Sequence, residues 1–420
     1  MVANTDIVRD APPAGTGARY YRLILLLALL AAFGPLAIDM YLPALPQIAR
    51  DLRASESAAQ FSLSVFFIAV ALSQMIYGPL SDRFGRRRPL LCGLALFALA
   101  SAGCARAGTA GGLIGWRVAM ALGGAAGMVL SRAVVRDRFS GREAASAFSL
   151  LMIVMGAAPI LAPIAGAHIL PLGGWRGIFW VLLAVGVAAW LAVMFGLPES
   201  LPAERRSRLG VLSAVAGYWR LLGERRFLGY ALVLGFNAGA LFTYITCSPH
   251  VFIGLNGVSP AGFSAFFGLN ALGMLGAAAL NRKLLHNHAP GRILGGVLVV
   301  VLLAGLALAV CAWTGLGGFP AIVALLFLTL ASGGMVGPNA LALALEPFGR
   351  AAGSAAALLG TLQFGMGGLA GALAGCFGTE SAAPMGVTLA VCAAAACASL
   401  RLASGRARQR MTPATAKDAE

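Results

Sequence analysis

The chain has 420 residues, of which 59% are hydrophobic and 11% are charged. A soluble protein would carry about 25% charged residues and a disordered chain would be far less hydrophobic, so the composition excludes both classes. The 31 Lys and Arg residues against 15 Asp and Glu residues give a formal net charge of +16, which in a soluble protein would suggest nucleic-acid binding. With a mean hydropathy of +0.85, the chain is instead typical of a membrane protein with many spans.

Long stretches with few or no charged residues follow one another along the chain. A helix needs about 20 apolar residues to cross a hydrocarbon core of about 30 Å, and the backbone of a span must form its hydrogen bonds within the helix. The alternating pattern of a membrane β-barrel is absent. We predict twelve transmembrane helices, in 22–42, 56–82, 88–106, 107–131, 143–176, 176–199, 226–282 (two helices), 292–346 (two helices), 350–380 and 380–401.

The basic residues lie unevenly on the two sides of these spans. One side, here called the arginine-poor side, is flanked only by Arg50, Arg53, Arg106 and Arg176, and Arg117 lies within a span. All other Lys and Arg residues flank the side that also holds both termini, here called the arginine-rich side. Because cytoplasmic loops are enriched in Lys and Arg, we predict that both termini are cytoplasmic. The charges occupy short loops and form no single basic face, so nucleic-acid binding is excluded.

The longest polar stretch, 198–226, divides the spans into two groups of six. We predict an N-terminal bundle (22–197), a cytoplasmic linker (198–226) and a C-terminal bundle (227–403), with cytoplasmic tails at 1–21 and 404–420. Transporters built from parallel repeats show this organisation. The other loops are too short for a soluble catalytic domain, and the seven Cys and four His residues form no metal-binding pattern. We therefore predict no enzymatic activity, no catalytic residue and no metal site.

The loop after the second span has the sequence GPLSDRFGRRR, residues 78–88. Gly78 lets two helices approach closely because it has no side chain, and Asp82 can pair with an Arg or accept hydrogen bonds from a helix N-terminus. A basic loop that only obeyed the topology rule would not need this spacing. The residues of this motif are Gly78, Asp82, Arg83, Gly85, Arg86 and Arg87.

This spacing resembles the signature loop between helices two and three of the major facilitator superfamily. More narrowly, the chain is similar to the Bcr/CflA group of drug:proton antiporters over nearly its whole length. The segments that carry the resemblance are DMYLPALP (39–46), GPLSDRFGRRRPLL (78–91), APILAP (158–163) and WRGIFW (175–180). The resemblance implies an all-α membrane protein with the major facilitator fold, in which twelve transmembrane helices form two six-helix bundles with a central cavity. The resemblance implies that the loop motif forms a cytoplasmic gate. In the family, an acid at the end of the fourth helix pairs with the arginine-rich loop when the outward-open state forms, so we expect Asp137 to contact Arg86.

Asp39 is the only acid deep in the apolar stretches of the first half. An intramembrane carboxylate is costly and marks a functional site by default, and burial favours its neutral form, so that it can exchange a proton. The other interpretation is an acid at a helix end near water, followed by the turn at Pro43. The resemblance implies that Asp39 takes part in proton coupling or substrate binding.

Arg117 lies alone in the fourth span, at the start of RVAMALGGAA (117–126). A lone Arg within a span needs a carboxylate, a water-filled cavity or backbone carbonyls; otherwise its side chain snorkels to the membrane interface. The segment resembles the antiporter signature of helix four, whose Arg is linked to proton coupling. Met120 stands where relatives usually have Gln, which changes the polarity around Arg117 and the substrates accepted.

The fifth span contains two prolines four residues apart, which break backbone hydrogen bonds and bend the helix. Gly156, Pro159, Pro163 and Gly166 resemble the antiporter motif of helix five, with Ala158 where that motif often has Gly.

Further polar and aromatic residues inside the spans are candidates for a substrate cavity, although each polar one also fits a hydrogen bond between helices. The candidates are Tyr41, Gln74, Met120, Phe236, Asn237, Tyr244, Asn270, Asn339, Gln363 and Phe364.

Three functions remain open at this point. The resemblance favours proton-driven export of small amphipathic compounds or antibiotics (similar to phenicols, bicyclomycin or sulfonamides) from the cytoplasm by alternating access. A proton-linked or facilitative transporter of a specific metabolite would use the same fold, and a non-transporting membrane scaffold is the remote alternative. We expect protons as the coupling ion and no other cofactor, a small-molecule substrate, and a monomer in the bacterial inner membrane.

Overall fold

The structure is a computed structural model that describes residues 18–206, 218–377 and 380–404. The rest of the two predicted tails (1–21 and 404–420) and the central part of the predicted linker (198–226) lie outside the described residues. The described chain consists of helices joined by short turns. The prediction of an all-α protein is confirmed.

The first span is broken. Pro35 has no N–H to offer the carbonyl of Ala31, and its ring crowds that carbonyl, so the chain bends by 42° there. The segments are α1 (Ala18–Ala31), α2 (Phe33–Asp39), a 3₁₀ turn (Leu42–Ala44) and α3 (Leu45–Asp51). The first helix therefore begins inside the segment 1–21 that the sequence analysis assigns to a tail.

Three long helices follow: α4 (Glu56–Phe84), α5 (Arg87–Ala105) and α6 (Ala110–Arg138). The first N–H groups of a helix lack partners within it, and a Ser or Thr side chain can satisfy one of them. Ser55 Oγ accepts from the N–H of Ala58 (3.2 Å), and Thr109 Oγ1 accepts from the N–H of Gly112 (3.1 Å). These caps fix where α4 and α6 begin.

The next helix, α7 (Gly141–Gly196), has 56 residues. A straight helix of this length would measure about 84 Å, far more than the roughly 30 Å of a hydrocarbon core. At Gly174 the backbone leaves the helical region (φ 59°, ψ −168°), which glycine tolerates because it has no Cβ. The predicted fifth and sixth spans are the two parts of α7 that meet at Gly174.

The second half repeats the pattern of antiparallel spans. After α8 the chain makes a π-helical turn (His250–Leu255), and a 3₁₀ turn (Glu346–Ala351) follows α11. The helices are α8 (Arg225–Pro249), α9 (Pro260–Leu284), α10 (Pro290–Thr314), α11 (Gly318–Leu345), α12 (Ala352–Cys376) and α13 (Ala383–Ser404).

Within the described residues, ten helices are long and apolar enough to cross a membrane, and the bent first span makes eleven. Division of α7 at Gly174 gives twelve, the number that the charge-poor stretches predict. The protein is a multi-pass membrane protein.

The two groups of six spans pack against each other along small residues. On α12, a Cβ added to Gly368 would lie 2.9 Å from the carbonyl oxygen of Ser64 on α4, so only glycine allows this approach. On the opposite flank, Ser264 Oγ of α9 donates to the carbonyl of Pro163 on α7 (3.0 Å). These two contacts hold the bundles together on either side of the space between them.

Gly166 marks a close contact of α7 with the first span. A Cβ at this position would overlap the carbonyl oxygen of Met40, and backbone cannot turn away as a side chain can.

We predict that Gly166→Ala lowers the free energy of unfolding by about 1–3 kcal/mol, the usual cost of overpacking. The matched control is Gly115→Ala in α6, where the added Cβ meets nothing within 4 Å and the helix propensity of alanine is favourable. The measurement is the melting temperature of the purified protein in detergent. Equal melting temperatures for the two variants would contradict the contact.

Candidate functional site

A cavity of about 330 Å³ lies between the two bundles, within the size range of small-molecule sites. The first bundle contributes Asp39, Met155, Gly156 and Pro159. The second bundle contributes Leu241, Tyr244, Ile245, Phe267, Asn270, Ala271, Met274, Leu275, Ala278, Leu330 and Gly334. The wall is therefore apolar and aromatic, with a carboxyl, a phenol and an amide as its polar groups.

The cavity is closed on the arginine-poor side and extends from there toward the arginine-rich side. At its closed end Asp39 is only 4% exposed, and Tyr41 and Leu42 beyond it are fully buried. Toward the arginine-rich side the wall residue Leu275 is 47% exposed. On the closed side the bundles also approach through Glu56 and His250, whose Oε2 and Nδ1 atoms lie 3.6 Å apart.

Asp39 is the last residue of α2 and the only charged group of the cavity wall. Among the described residues, no Lys, Arg or His forms an ion pair with it. The helix stops here because the turn that contains Pro43 follows, which directs the carboxyl to the space between the bundles. The structure places Asp39 beside a cavity and not at an exposed helix end, so the interpretation as an acid near bulk water is wrong.

Tyr244 and Asn270 stand in the opposite wall. Asn270 Nδ2 donates to Tyr244 Oη (2.8 Å), and the Tyr244 ring stacks on Phe267 with centroids 5.4 Å apart. Because its oxygen accepts this hydrogen bond, the hydroxyl of Tyr244 keeps its own proton to donate elsewhere. Both residues are among the predicted cavity candidates. Most of the wall is formed by apolar residues, and nothing in the sequence distinguishes these from apolar residues that face lipid.

Asn237 lies in a smaller pocket of about 20 Å³ behind the main cavity. The two spaces share Leu241, Met274 and Leu330 as walls. Thr329 is the other polar residue of the smaller pocket.

The remaining cavity candidates lie outside the cavity wall. Asn339 Nδ2 donates to Asn281 Oδ1 (2.6 Å) and is buried between α11 and α9, so it serves helix packing. Gln74 of α4 lies against Gly360. The half-buried residues Phe236 and Phe364 pack against other apolar side chains, and Gln363 is half-buried on α12. The sequence places these side chains within spans but does not fix which neighbour their helix faces turn toward.

Arg117 is fully buried, so the interpretation that it snorkels to an interface is wrong. Its Nη1 donates to the carbonyl of Ala37 (2.7 Å), one of the last carbonyls of α2, which have no partner within the helix. Its guanidinium carbon lies 4.6 Å from the ring centroid of Tyr41 and 4.3 Å from that of Phe66, at cation–π distance. Arg117 thus uses a carbonyl and aromatic faces instead of a carboxylate.

Tyr41 and Met120, two further cavity candidates, belong to the surroundings of Arg117. Tyr41 Oη shares a hydrogen bond with Ser62 Oγ (3.0 Å), and Met120 Sδ lies 3.8 Å from Arg117 Nη1. Both are buried within the first bundle, and their predicted position in the cavity is wrong.

The motif of the fifth span lies on one face of α7. Pro159 and Gly156 line the cavity, and a Cβ on Gly156 would lie 3.3 Å from Leu275 of α9. Pro163 accepts from Ser264, and Gly166 abuts Met40. The spacing of three and four residues brings all four to one side of the helix, toward the second bundle and the first span.

On the arginine-rich side, Arg86 is the centre of a polar network. Its Nε lies 2.9 Å from Asp137 Oδ2, and its Nη1 lies 2.5 Å from Asp82 Oδ1 and 2.6 Å from Ser81 Oγ. Ser200 Oγ also donates to Asp137 Oδ2 (3.1 Å). The expected contact between Arg86 and Asp137 is present in a structure whose cavity is closed on the arginine-poor side, so it is not confined to an outward-open state. It ties the ends of α4, α5 and α6 together.

Three other motif residues differ in what they contact. Gly78 has open space where a Cβ would lie, so its predicted close approach to another helix is wrong. Arg87 Nη2 donates to the carbonyl of Met194 on α7. Arg83 is exposed, and its guanidinium carbon lies 5.3 Å from the ring centroid of Phe84.

Glu199, which belongs to none of the predicted motifs, caps the start of α5. Its Oε1 accepts from the N–H of Arg86 (2.8 Å) and its Oε2 from the N–H of Arg87 (3.2 Å), where the helix dipole favours an anion. Its Oε1 also accepts from the N–H groups of Ser200 and Leu201. Gly85, with φ +87°, leaves room for this carboxylate, because a Cβ there would overlap it.

These contacts set the charge of Glu199. Burial opposes ionisation of its carboxyl, but the backbone N–H groups of Leu201, Arg86, Arg87 and Ser200 outweigh burial and hold its pKa below the ordinary value of 4.5. Glu199 follows directly after the sixth span, so in the sequence it is indistinguishable from an acid that only marks the end of the span.

Comparison with known proteins places the chain among transporters. The sequence model of the Major Facilitator Superfamily matches residues 27–372. YdgK, an uncharacterised MFS-type transporter of Bacillus subtilis, is 39% identical over 385 residues, which cover 90% of this chain and 94% of the relative. A bicyclomycin resistance protein homolog of Haemophilus influenzae is 32% identical, with 88% and 92% covered. The crystal structure of a D-xylose–proton symporter superposes with a TM-score of 0.73 at 17% identity, covering 92% of this chain and 97% of that one.

We predict that Glu199→Gln lowers the melting temperature at neutral pH, because the amide loses the charge and one acceptor at the start of α5. The folded-state pKa of Glu199 is lowered, so its contribution to stability is complete above pH 4.5 and is lost as the pH falls through the folded-state pKa. The difference between the two proteins should therefore shrink under acid conditions.

The measurement is thermal unfolding of both proteins across a pH series in detergent. Glu224→Gln is the matched control, since Glu224 is exposed and makes no side-chain cap at the start of α8. A difference between wild type and Glu199→Gln that stays constant with pH would refute the cap.

Proposed function

The chain belongs to the Major Facilitator Superfamily, and we propose that it exports small amphipathic compounds in exchange for protons. It is a membrane transporter of small molecules; the direction, the coupling ion and the substrate are the proposal. The observation that carries the proposal is the cavity of about 330 Å³ between the bundles, whose only charged wall residue is Asp39. The bicyclomycin resistance protein homolog among its relatives favours export of antibiotics over uptake of a metabolite.

The apolar wall and the three polar groups suit an amphipathic molecule. Tyr244 and Phe267 offer stacked rings to an apolar or aromatic body, while the Tyr244 hydroxyl and the Asn270 carbonyl oxygen offer a donor and an acceptor. Binding in such a pocket is driven by removal of apolar surface from water, and the polar groups fix orientation.

Asp39 supplies the link to protons. A charged carboxylate and a protonated one differ strongly in the cost of burial, so protonation of Asp39 favours one arrangement of the bundles over the other. Substrate and proton compete for this end of the cavity, and each proton that moves down a membrane potential of 100 mV yields about 2.3 kcal/mol. One proton per cycle is enough for more than about tenfold concentration of a neutral substrate.

The open mouth of the cavity lies on the arginine-rich side, and on the positive-inside rule this side is cytoplasmic. Substrate then enters from the cytoplasm in the conformation described above. For release, the contacts on the arginine-poor side, including Glu56 with His250, open while the arginine-rich side closes. The network of Arg86, Asp82 and Asp137 moves with the first bundle as a unit.

We predict that Asp39→Asn abolishes proton-coupled export, because the amide has the size of the carboxyl but cannot exchange a proton. Substrate-driven proton movement in proteoliposomes should fall by about tenfold or more, and drug tolerance of an efflux-deficient bacterium that expresses the variant should fall to the level of the empty host. A screen of phenicols, bicyclomycin-like compounds, sulfonamides and dyes supplies the substrate.

Glu204→Gln is the matched control, an acid-to-amide change at an exposed position after α7. Unchanged accumulation and unchanged proton movement in Asp39→Asn would remove Asp39 from the mechanism.

We also predict that Tyr244→Phe weakens substrate binding by about tenfold. The change removes the hydroxyl that donates to the substrate, and one hydrogen bond contributes about 0.5–1.5 kcal/mol net. The measurement is the dissociation constant of the purified protein for a compound found in the screen. Tyr230→Phe, the same change at a buried position of α8 outside the cavity wall, should bind like wild type, and equal weakening in both variants would contradict the role of Tyr244.

A further inference from the structure

The mouth of the cavity carries a cation that the proposed exchange of substrate and proton does not use. Arg132 of α6 has an exposed side chain, yet its Nη2 lies 3.7 Å from Sδ of Met155, which is part of the cavity wall. The guanidinium therefore lies beside a residue of the cavity wall. Within the described residues no carboxylate forms an ion pair with Arg132.

A second cation lies on the opposite wall. Arg282 follows the wall residue Ala278 by one turn of α9, which places both on one helix face, and its side chain is exposed. The mouth thus has a positive charge on each bundle.

Four acids on the arginine-rich side are engaged by other groups. Asp82 and Asp137 are engaged by Arg86, Glu346 by Arg226, and Glu199 by backbone N–H groups. A positive potential therefore remains at the opening on the arginine-rich side.

The closed end of the cavity has the opposite character. A single carboxylate among apolar and aromatic groups would favour lipophilic cations if nothing else selected the substrate, since both the charge and the rings attract a cation. The mouth therefore repels a cation, whereas the closed end attracts one. A molecule without net charge is not repelled at either end.

We propose that Arg132 is a specificity-determining residue that excludes permanently cationic compounds at the cavity mouth, so that the substrates are neutral molecules with an apolar body and an oxygen-rich polar end. The inference rests on the proposed export through this cavity. A fixed charge at a narrow opening changes the rate of arrival of charged molecules by about 10- to 1,000-fold. The guanidinium also donates hydrogen bonds to nitro, sulfonyl or carbonyl oxygens, which favours the neutral class.

The test compares a neutral and a cationic substrate in proteoliposomes. Chloramphenicol is the neutral probe and tetraphenylphosphonium is the permanently cationic probe, and the readout is the ratio of their transport rates at low ionic strength. Arg132→Met and Arg132→Gln remove the charge, Arg132→Lys retains it, and Arg292→Met removes an exposed arginine at the start of α10 on the same side of the membrane.

We expect the ratio of cation to neutral transport to rise by about tenfold or more in Arg132→Met and Arg132→Gln and to stay at the wild-type value in Arg132→Lys and Arg292→Met. Because the effect is electrostatic, added salt should reduce the difference between wild type and the neutral variants. Melting temperatures of all variants establish that each is folded.

Two results would overturn the proposal in distinguishable ways. If wild type transports chloramphenicol and both neutral variants keep the wild-type ratio, Arg132 does not select by charge and the export function stands. If wild type moves neither probe and no proton in response to any compound of the screen, the proposed export itself fails, and the role of Arg132 falls with it.

Discussion

A backbone N–H or carbonyl group inside a bilayer has no water to bond, so a span departs from regular helix only where protein or a water-filled cavity can satisfy the freed groups. In this protein the departures include the bend and 3₁₀ turn of the first span and the π-helical turn at the end of the seventh. These spans are equivalent in the two six-span repeats, and in transporters interrupted helices at equivalent positions point to the binding site. Here the two spans carry Asp39 and Tyr244, which face one cavity.

The absence of water from the bilayer also makes a buried charged side chain costly. The first bundle contains two such side chains, Arg117 and Asp39, and their surroundings give them different roles. Arg117 has no exposed surface, and its one carbonyl partner and two aromatic neighbours are fixed parts of the bundle. Asp39 has no cationic partner in the described chain and borders a cavity that opens to one side. Proton exchange needs a path for water, so Asp39 is the group suited to titrate. By binding the carbonyl of Ala37, Arg117 holds the end of α2 from which Asp39 projects, and in this way the buried cation positions the acid.

The positions of the spans along the chain could be predicted from the sequence. The direction in which each side chain of a helix points could not, because it depends on how the helix is rotated against its neighbours. The length of charge-poor stretches predicts the spans, because a bilayer has one thickness, and the family resemblance supplied the pair Arg86 and Asp137. Tyr41, Met120 and Asn339 are polar, aromatic or unusual residues within spans, yet Tyr41 and Asn339 turn toward a neighbouring helix and Met120 contacts Arg117 of its own helix. Glu199 was missed for another reason: its partners are backbone N–H groups more than a hundred residues earlier, and a side chain that binds backbone leaves no complementary residue type in the sequence.

Along the proposed route a substrate first passes Arg132, whose charge is permanent, and last reaches Asp39, whose charge is lost on protonation. The guanidinium of Arg132 stays protonated at every step, so it acts on each arriving molecule in the same way and can only select. In the proposed cycle the carboxyl of Asp39 changes charge, so it can favour one arrangement of the bundles at one step and the other at the next. A fixed cation at the depth of Asp39 would block proton exchange, and a titrating acid at the mouth would exchange protons with the arginine-rich side without any link to the closed side. The order of the two charges therefore follows from what each has to do, and it separates selection at the mouth from energy coupling at the closed end.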